Sequence, residues 1–246
     1  MKIKTMFIGM FVMTCLSIAG CRKGNDVSTL AGQSAQKLNL APGVHSLEIS
    51  LLSSSVQYDC LVNSYTSYAG VNLVGNPDLA ASAWTYSGTP GIGRDFFGFS
   101  GISFLPPGTT VTSATLNLYE MASGTAVANP SGNSYYPGSP YNSYGTNACY
   151  IKRVTGTWSE STITWNNQPS TTTVNQATVP ASTSQWNYNV TVDVTALVQD
   201  IVNSGQNNGF CLQLQSESYY RNLNFAGHRN SDATKWPKLS ITYSIP

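Results

Sequence analysis

Charge is scarce in this sequence. Only 9% of its 246 residues are Asp, Glu, Lys or Arg, so a folded surface has to be covered mainly by Ser, Thr, Asn, Gly and Tyr. The formal net charge is +1, and without residues 1–20, which hold Lys2 and Lys4, ten basic residues face eleven acidic ones. That balance gives no general attraction for nucleic acid. Histidine is rarer still. His45 and His228 are the only two, and with no Cys-x-x-Cys or Cys/His spacing beside them a zinc site is not expected. Gly-x-Ser-x-Gly, His-Glu-x-x-His and a glycine-rich phosphate loop are all missing. Glutamate is confined to Glu48, Glu120, Glu160 and Glu217, and no motif places two of them as the opposed pair that glycoside hydrolysis needs.

Long apolar runs are also missing, except at the start of the chain. Lys2 and Lys4 precede the apolar stretch from Met6 to Leu16, which is short for a permanent membrane helix and reads as a signal segment over residues 1–20. Ile18-Ala19-Gly20-Cys21 follows at the spacing of a lipobox, so Cys21 is expected to carry the acyl chains, palmitate among them, that hold a bacterial lipoprotein to a membrane. The expected location is a lipid anchor in the cell envelope, at the outer membrane or cell surface. Residues 21–42 are polar and small and read as a lipidated, flexible tether; residues 43–246 read as one domain. Cys15 leaves with the signal, so Cys60, Cys149 and Cys211 can form at most one internal disulfide, or serve as small buried hydrophobes.

What the domain has in quantity is period-two alternation. Leu47, Ile49 and Leu51, then Val56, Tyr58, Cys60 and Val62, then Phe97 and Phe99, Leu116 and Leu118, and Ile163 and Trp165 alternate with other residues. The clearest run sets Tyr188, Val190, Val192 and Val194 on one face against Asn187, Asn189, Thr191 and Asp193 on the other. Phe210-x-Leu212-x-Leu214, Leu223-x-Phe225 and Leu239-x-Ile241-x-Tyr243 close the series. Many one-sided strands between Gly, Pro, Asn and Ser clusters predict an all-β fold, an antiparallel β-sandwich of jelly-roll type. One short helix is expected over Ala196–Val202, with Thr195 as N-cap and an end near Ser204-Gly205. Residues 121–148 are the one long irregular segment, and loops of that length are functional or disordered.

The order of motifs resembles the bacterial DNRLRE domains, which overlap with carbohydrate-binding module family 96. The resemblance runs from about Val56 to Tyr243. It begins with Tyr58-Asp59, Asn72-Leu73-Val74-Gly75, Arg94-Asp95-Phe96-Phe97-Gly98-Phe99, Leu105-Pro106-Pro107-Gly108 and Ser113-Ala114-Thr115-Leu116-Asn117-Leu118-Tyr119. Its most specific string is Trp158-Ser159-Glu160-Ser161-Thr162-Ile163-Thr164-Trp165-Asn166-Asn167-Gln168-Pro169. Asp193-Val194-Thr195-Ala196-Leu197-Val198, Asn208-Gly209-Phe210, Phe225-Ala226-Gly227-His228-Arg229 and the last strand complete it. The resemblance implies a jelly-roll domain on secreted or surface proteins, often beside polysaccharide-degrading enzymes, with alginate binding described for some members. Two departures stand out. From residue 43 onward the only cations are Arg94, Lys152, Arg153, Arg221, Arg229, Lys235 and Lys238, too few for a strongly basic groove, and residues 121–148 look like an insertion.

The expected activity is therefore non-catalytic binding of a polysaccharide or other glycan. Sugars offer C–H faces to flat aromatic rings and hydroxyls to planar polar groups. Tyr135, Tyr136, Tyr141 and Tyr144 in the long loop, with Tyr219, Tyr220 and Trp236, are candidates for a stacking platform, or for cover over the sandwich edges. Arg94, Arg221 and Arg229 are ligand-binding candidates, with ion pairing of Arg94 or Arg229 to Asp59 or Asp95 as the alternative. Trp158 and Trp165 read as core or corner packing. No cofactor is expected, although Asp59, Asp193 and Asp232 could contribute to a structural calcium site. The rival classes are an adhesive or structural surface lipoprotein with a protein partner, and a polysaccharide lyase or hydrolase.

Overall fold

The computed structural model describes residues 27–29, 43–49 and 57–245. They form β1 (Val27–Thr29), β2 (Gly43–Ile49), β3 (Gln57–Asn63), β4 (Asp78–Tyr86), β5 (Thr89–Phe99), β6 (Thr110–Leu118), β7 (Cys149–Val154) and β8 (Thr171–Val179). After these come β9 (Val190–Asp193), the helix α1 (Thr195–Ser204), β10 (Phe210–Leu214), β11 (Arg221–Ala226) and β12 (Lys238–Ile245). The expected signal segment, Cys21 and most of the expected tether lie outside the described residues. Inside that tether, Val27–Thr29 pairs in parallel with β2 and so joins the sheet. Among the described residues no helix is long and apolar enough to cross a membrane.

Eight strands have jelly-roll order. One sheet runs β2-β12-β6-β9 with β1 at its edge, and the other contains β5-β10-β7-β8, with β4 and β11 beyond β5. The chain crosses from sheet to sheet between β5 and β6, β6 and β7, β8 and β9, and β9 and β10, as two interlocked Greek keys require. Alternation supplies the inner faces. Ala114, Leu116 and Leu118 of β6 and Leu239, Ile241 and Tyr243 of β12 are buried while their neighbours turn outward. They meet Ile151, Leu212, Leu223 and Phe225 from the opposite sheet in one core. Each of the buried Leu, Ile and Phe side chains stabilises the fold by about 1.5–3 kcal/mol.

The centre of the second sheet departs from one-sided burial. Asp95, Phe96 and Phe97 are consecutive and all buried. Phe97 faces the main core, its ring 5.6 Å from that of Phe210. Phe96 turns the other way into a second, smaller core with Cys60, Val62, Val154, Ile163 and Cys211. Trp158 lies over this outer face: its indole N–H donates to the Asn208 carbonyl at 2.8 Å, and its ring is 5.3 Å from Tyr58 and 5.9 Å from Phe96. Ile163 and Trp165 therefore do not form the strand that their alternation suggested. Ile163 plugs the second core from a turn, and Trp165 starts a 3₁₀ turn over Trp165–Asn167. β5 pairs with β4 at its start and with β3 and β10 further on, which curls the sheet.

Other local expectations divide. Cys60, Cys149 and Cys211 are free and buried, so the small-hydrophobe reading holds over the disulfide one. Burial pushes the Cys60 and Cys211 thiols up to about 12. The helix ends as expected, at Gly205 in the left-handed conformation (φ 64°). Its start is corrected: Thr195 is the first helical residue and Val194 occupies the N-cap position. Asp193 does the capping chemistry from one residue earlier, its carboxylate accepting from the Thr195 N–H at 2.9 Å and hydroxyl at 2.6 Å.

Candidate functional site

Residues 121–148 contain no strand, yet they are tightly tied to β11, an edge strand whose outer backbone groups need partners. Asparagines and a serine supply these partners. The Ser134 N–H donates to the Asn222 carbonyl and the Asn222 N–H to the Ser134 hydroxyl, both at 3.0 Å. The Asn224 N–H donates to Asn133 Oδ1 at 2.8 Å, and Asn222 Nδ2 to the Gly132 carbonyl at 2.8 Å. Asn147 donates to the Asn222 carbonyl at 2.7 Å. The long loop is thus an ordered cover for the sheet edge, and its abundance of Asn and Ser reflects that task.

With the loop fixed, its tyrosines are placed. Tyr141 stands against Trp84, at the end of β4, with centroids 4.8 Å apart; Trp84 is 4.9 Å from Tyr220, which follows β10. Tyr144 meets Tyr220 edge-on at 5.1 Å, and Tyr219 lies 5.5 Å from it. Tyr144 and Tyr219 are the outermost rings, 44% and 49% exposed. Arg221 locks the two loops together: its guanidinium donates to the carbonyls of Tyr144, Thr146 (3.1 Å) and Ser218 (2.7 Å). The product is an aromatic shelf of five rings, with Trp84, Tyr141 and Tyr220 half-buried behind Tyr144 and Tyr219.

The other candidates lie elsewhere. Arg94 forks onto Glu217, Nε to Oε1 at 2.7 Å and Nη2 to Oε2 at 2.8 Å, donates to Gln168, and covers the Trp165 ring at 4.7 Å. Its carboxylate partner is thus neither Asp59 nor Asp95. Trp236 donates its indole N–H to the Asn230 carbonyl at 2.7 Å. Tyr135 and Tyr136 are half-buried, their carbonyls held by Ser182 and Asn142. Sequence reasoning missed Trp84 as a shelf member. The only signal for it was a large aromatic near a strand end, just before the Ser87-Gly88 turn.

Arg229 belongs to a separate buried network. It donates to Asp59 Oδ1 at 3.1 Å and to Glu160 Oε1 at 2.8 Å. His228 Nδ1 is 2.8 Å from Asp59 Oδ2, and its backbone N–H donates to the same oxygen. The ligand atoms of Asp59, Glu160 and His228 lie within 4.8 Å of one another, a spacing that suits a metal ion. The Arg229 guanidinium, however, already bridges the two carboxylates and supplies the positive charge a cation would bring. Asp59, Asp193 and Asp232 do not come together: Asp193 caps α1, and Asp232 accepts from the Thr234 N–H at 3.0 Å.

Two further carboxyls lie behind this network. Burial, then the nearby Asp59 charge, holds Asp95 well above the usual carboxylate range. Burial likewise raises Asp78 from 3.8 to about 6, against the opposing bonds from the Ala128 and Val127 N–H groups. A carboxyl with a raised folded-state pKa binds its proton more tightly in the folded chain, so its contribution to stability is complete below about pH 4 and is lost as pH rises through about 6. Unfolding free energies measured from pH 4 to 7 should therefore fall for the parent relative to Asp78→Asn by on the order of 3 kcal/mol. Parallel curves for the two proteins would contradict this.

No curated protein matches the sequence. Residues 135–243, which carry the latter part of the long loop, β7 to β11, most of β12 and four of the five shelf rings, match the family model of carbohydrate-binding module family 96.

Proposed function

We propose that the protein binds a polysaccharide without transforming it, laying sugar rings on the Tyr144–Tyr219 shelf, and that acyl chains on Cys21 hold it in the cell envelope with the shelf turned to the surroundings. The observation that carries the reading is the shelf itself. Two half-exposed rings are held at fixed spacing by half-buried rings and by an arginine clamp, so little conformational entropy is lost when a sugar stacks on them. The family match over residues 135–243 supports the ligand class. Absence of catalysis is supported by the pairing of the acids: Glu217, Glu160 and Glu120 are ion-paired to Arg94, Arg229 and Lys235.

The charge of the ligand follows from the arginines. Arg94 and Arg229 are spent on carboxylates, and Arg221 on backbone carbonyls, so none of these three offers a free fork to a uronate. A neutral polysaccharide is the expected ligand. Affinity electrophoresis of the chain carrying Cys21→Ser, through gels containing a neutral glucan, a mannan or alginate, tests this. Retardation by a neutral polymer and none by alginate is expected. Free migration of the folded protein through all three gels would overturn the reading.

A further inference from the structure

A concave surface lies outside the shelf and outside the residues that match the family model. It is a cleft of about 380 Å³ between β3, the end of β4 and the turn after Gly70, and its lining includes Leu61, Asn63, Tyr68, Asn76, Tyr86 and Val127. We propose that this cleft binds a single neutral pyranose unit, a chain end or a side branch. Its volume is at the small end of the roughly 300–1,000 Å³ typical of small-ligand clefts, which suits one sugar ring better than a run of chain.

The lining has both chemistries that a sugar needs. Tyr68 and Tyr86 stand edge to face with centroids 5.7 Å apart, and Tyr65 stacks on Tyr86 at 4.7 Å, so Tyr86 is held from behind while Tyr68 stays 39% exposed. The polar groups are pre-set. Asn63 Oδ1 accepts from the Tyr65 N–H at 2.8 Å, and Asn63 Nδ2 donates to the Tyr86 hydroxyl at 2.8 Å. That hydroxyl, already an acceptor, has its own proton left to give, and burial keeps it protonated by raising its pKa above 10.0. Asn76 is buried with no partner for its Nδ2 amide, a donor that a sugar oxygen would satisfy.

Charge selects against acidic sugars. Among the described residues no Lys or Arg lines the cleft, and the Val127–Ala128 wall is backed by Asp78, whose carboxyl accepts from both N–H groups at 2.7 and 2.6 Å. A uronate would find no cation among them. Gly91 packs against two of the lining residues: a Cβ there would lie 2.7 Å from the Tyr86 ring and 3.0 Å from Asn63 Oδ1.

The proposal stands on this lining and does not depend on the shelf. Its test is a titration of the isotopically labelled Cys21→Ser chain with methyl β-glucoside, methyl α-mannoside, methyl β-galactoside and sodium glucuronate, read by NMR. Saturable shifts of the Asn63 and Asn76 side-chain amides with at least one neutral glycoside are expected, with none from glucuronate. Tyr68→Ala, which removes a half-exposed ring, should weaken that binding at least fivefold, and Tyr86→Phe, which removes only the hydroxyl, should weaken it as well. The proposal fails if no neutral glycoside shifts those amides, if the shifts appear only at the Trp84 indole on the shelf, if glucuronate binds equally well, or if both variants bind as the parent does.

Discussion

Replacing Tyr144 and Tyr219 together by alanine is expected to abolish retention by polysaccharide while leaving the protein folded. An exposed ring that stacks on a ligand contributes about 1–2 kcal/mol, or about tenfold in affinity per ring, so the pair should weaken binding on the order of a hundredfold. The cost to the fold is small, because each ring is about half exposed and gives up only an edge contact with Tyr220. Tyr220→Ala should behave differently. Its ring touches Trp84, Tyr141, Tyr144 and Tyr219, so its loss should reduce binding and thermal stability together. Gel retardation beside a melting curve separates the two effects. Unchanged retention in the Tyr144/Tyr219 double variant would remove the shelf from the binding surface.

The largest effect on stability is expected at Arg229. Asp59 is buried with a side chain only 4% exposed, and Arg229 meets both it and Glu160. Truncating Arg229 strips both carboxylates of their guanidinium and leaves Asp59 with only its two His228 contacts, so Arg229→Ala should cost about 3 kcal/mol. Much of a domain's net stability of roughly 5–15 kcal/mol would go with it. Arg229→Lys should restore only part, because a point charge cannot span two carboxylates as the planar fork does. Urea unfolding of the three proteins decides. A loss below about 1 kcal/mol in Arg229→Ala would mean that the network does not hold the second sheet to the link between β11 and β12.

How legible this was depends on how local the cause is. Period two belongs to each strand, so Leu239-x-Ile241-x-Tyr243 and Ala114-x-Leu116-x-Leu118 could be read directly, and their buried faces made the sandwich the natural outcome. The second core could not be read in this way. Phe96 is buried because Trp158 and Ile163, some sixty residues downstream, fold back over it, and alternation within β5 carries no trace of that cover. The same distance hid the arginine partners. Glu217 and Glu160 lie 123 and 69 positions from Arg94 and Arg229, whereas the sequence suggested the nearby or motif-linked Asp95 and Asp59; only Asp59 proved to be a partner, and only for Arg229.

The shelf was half legible. Tyr141, Tyr144, Tyr219, Tyr220 and Arg221 do converge, but Tyr135, Tyr136, Trp236, Arg94 and Arg229 are placed by other contacts, and Trp84 enters from a strand that sequence reasoning had left out. A surface assembled from three chain segments shows in sequence only as excess tyrosine. The cleft beside Tyr68 and Tyr86 left less trace still, because its asparagines are common turn residues and the bond from Asn63 to the Tyr86 hydroxyl is purely tertiary.

The most direct test is a crystal structure of the protein bound to an oligosaccharide cut from whichever polymer retains it. The account predicts a sugar ring lying against Tyr144 and Tyr219, with no carboxylate of the protein at a glycosidic oxygen. Sugar bound instead at Arg94 or Trp236, with the shelf bare, would contradict it.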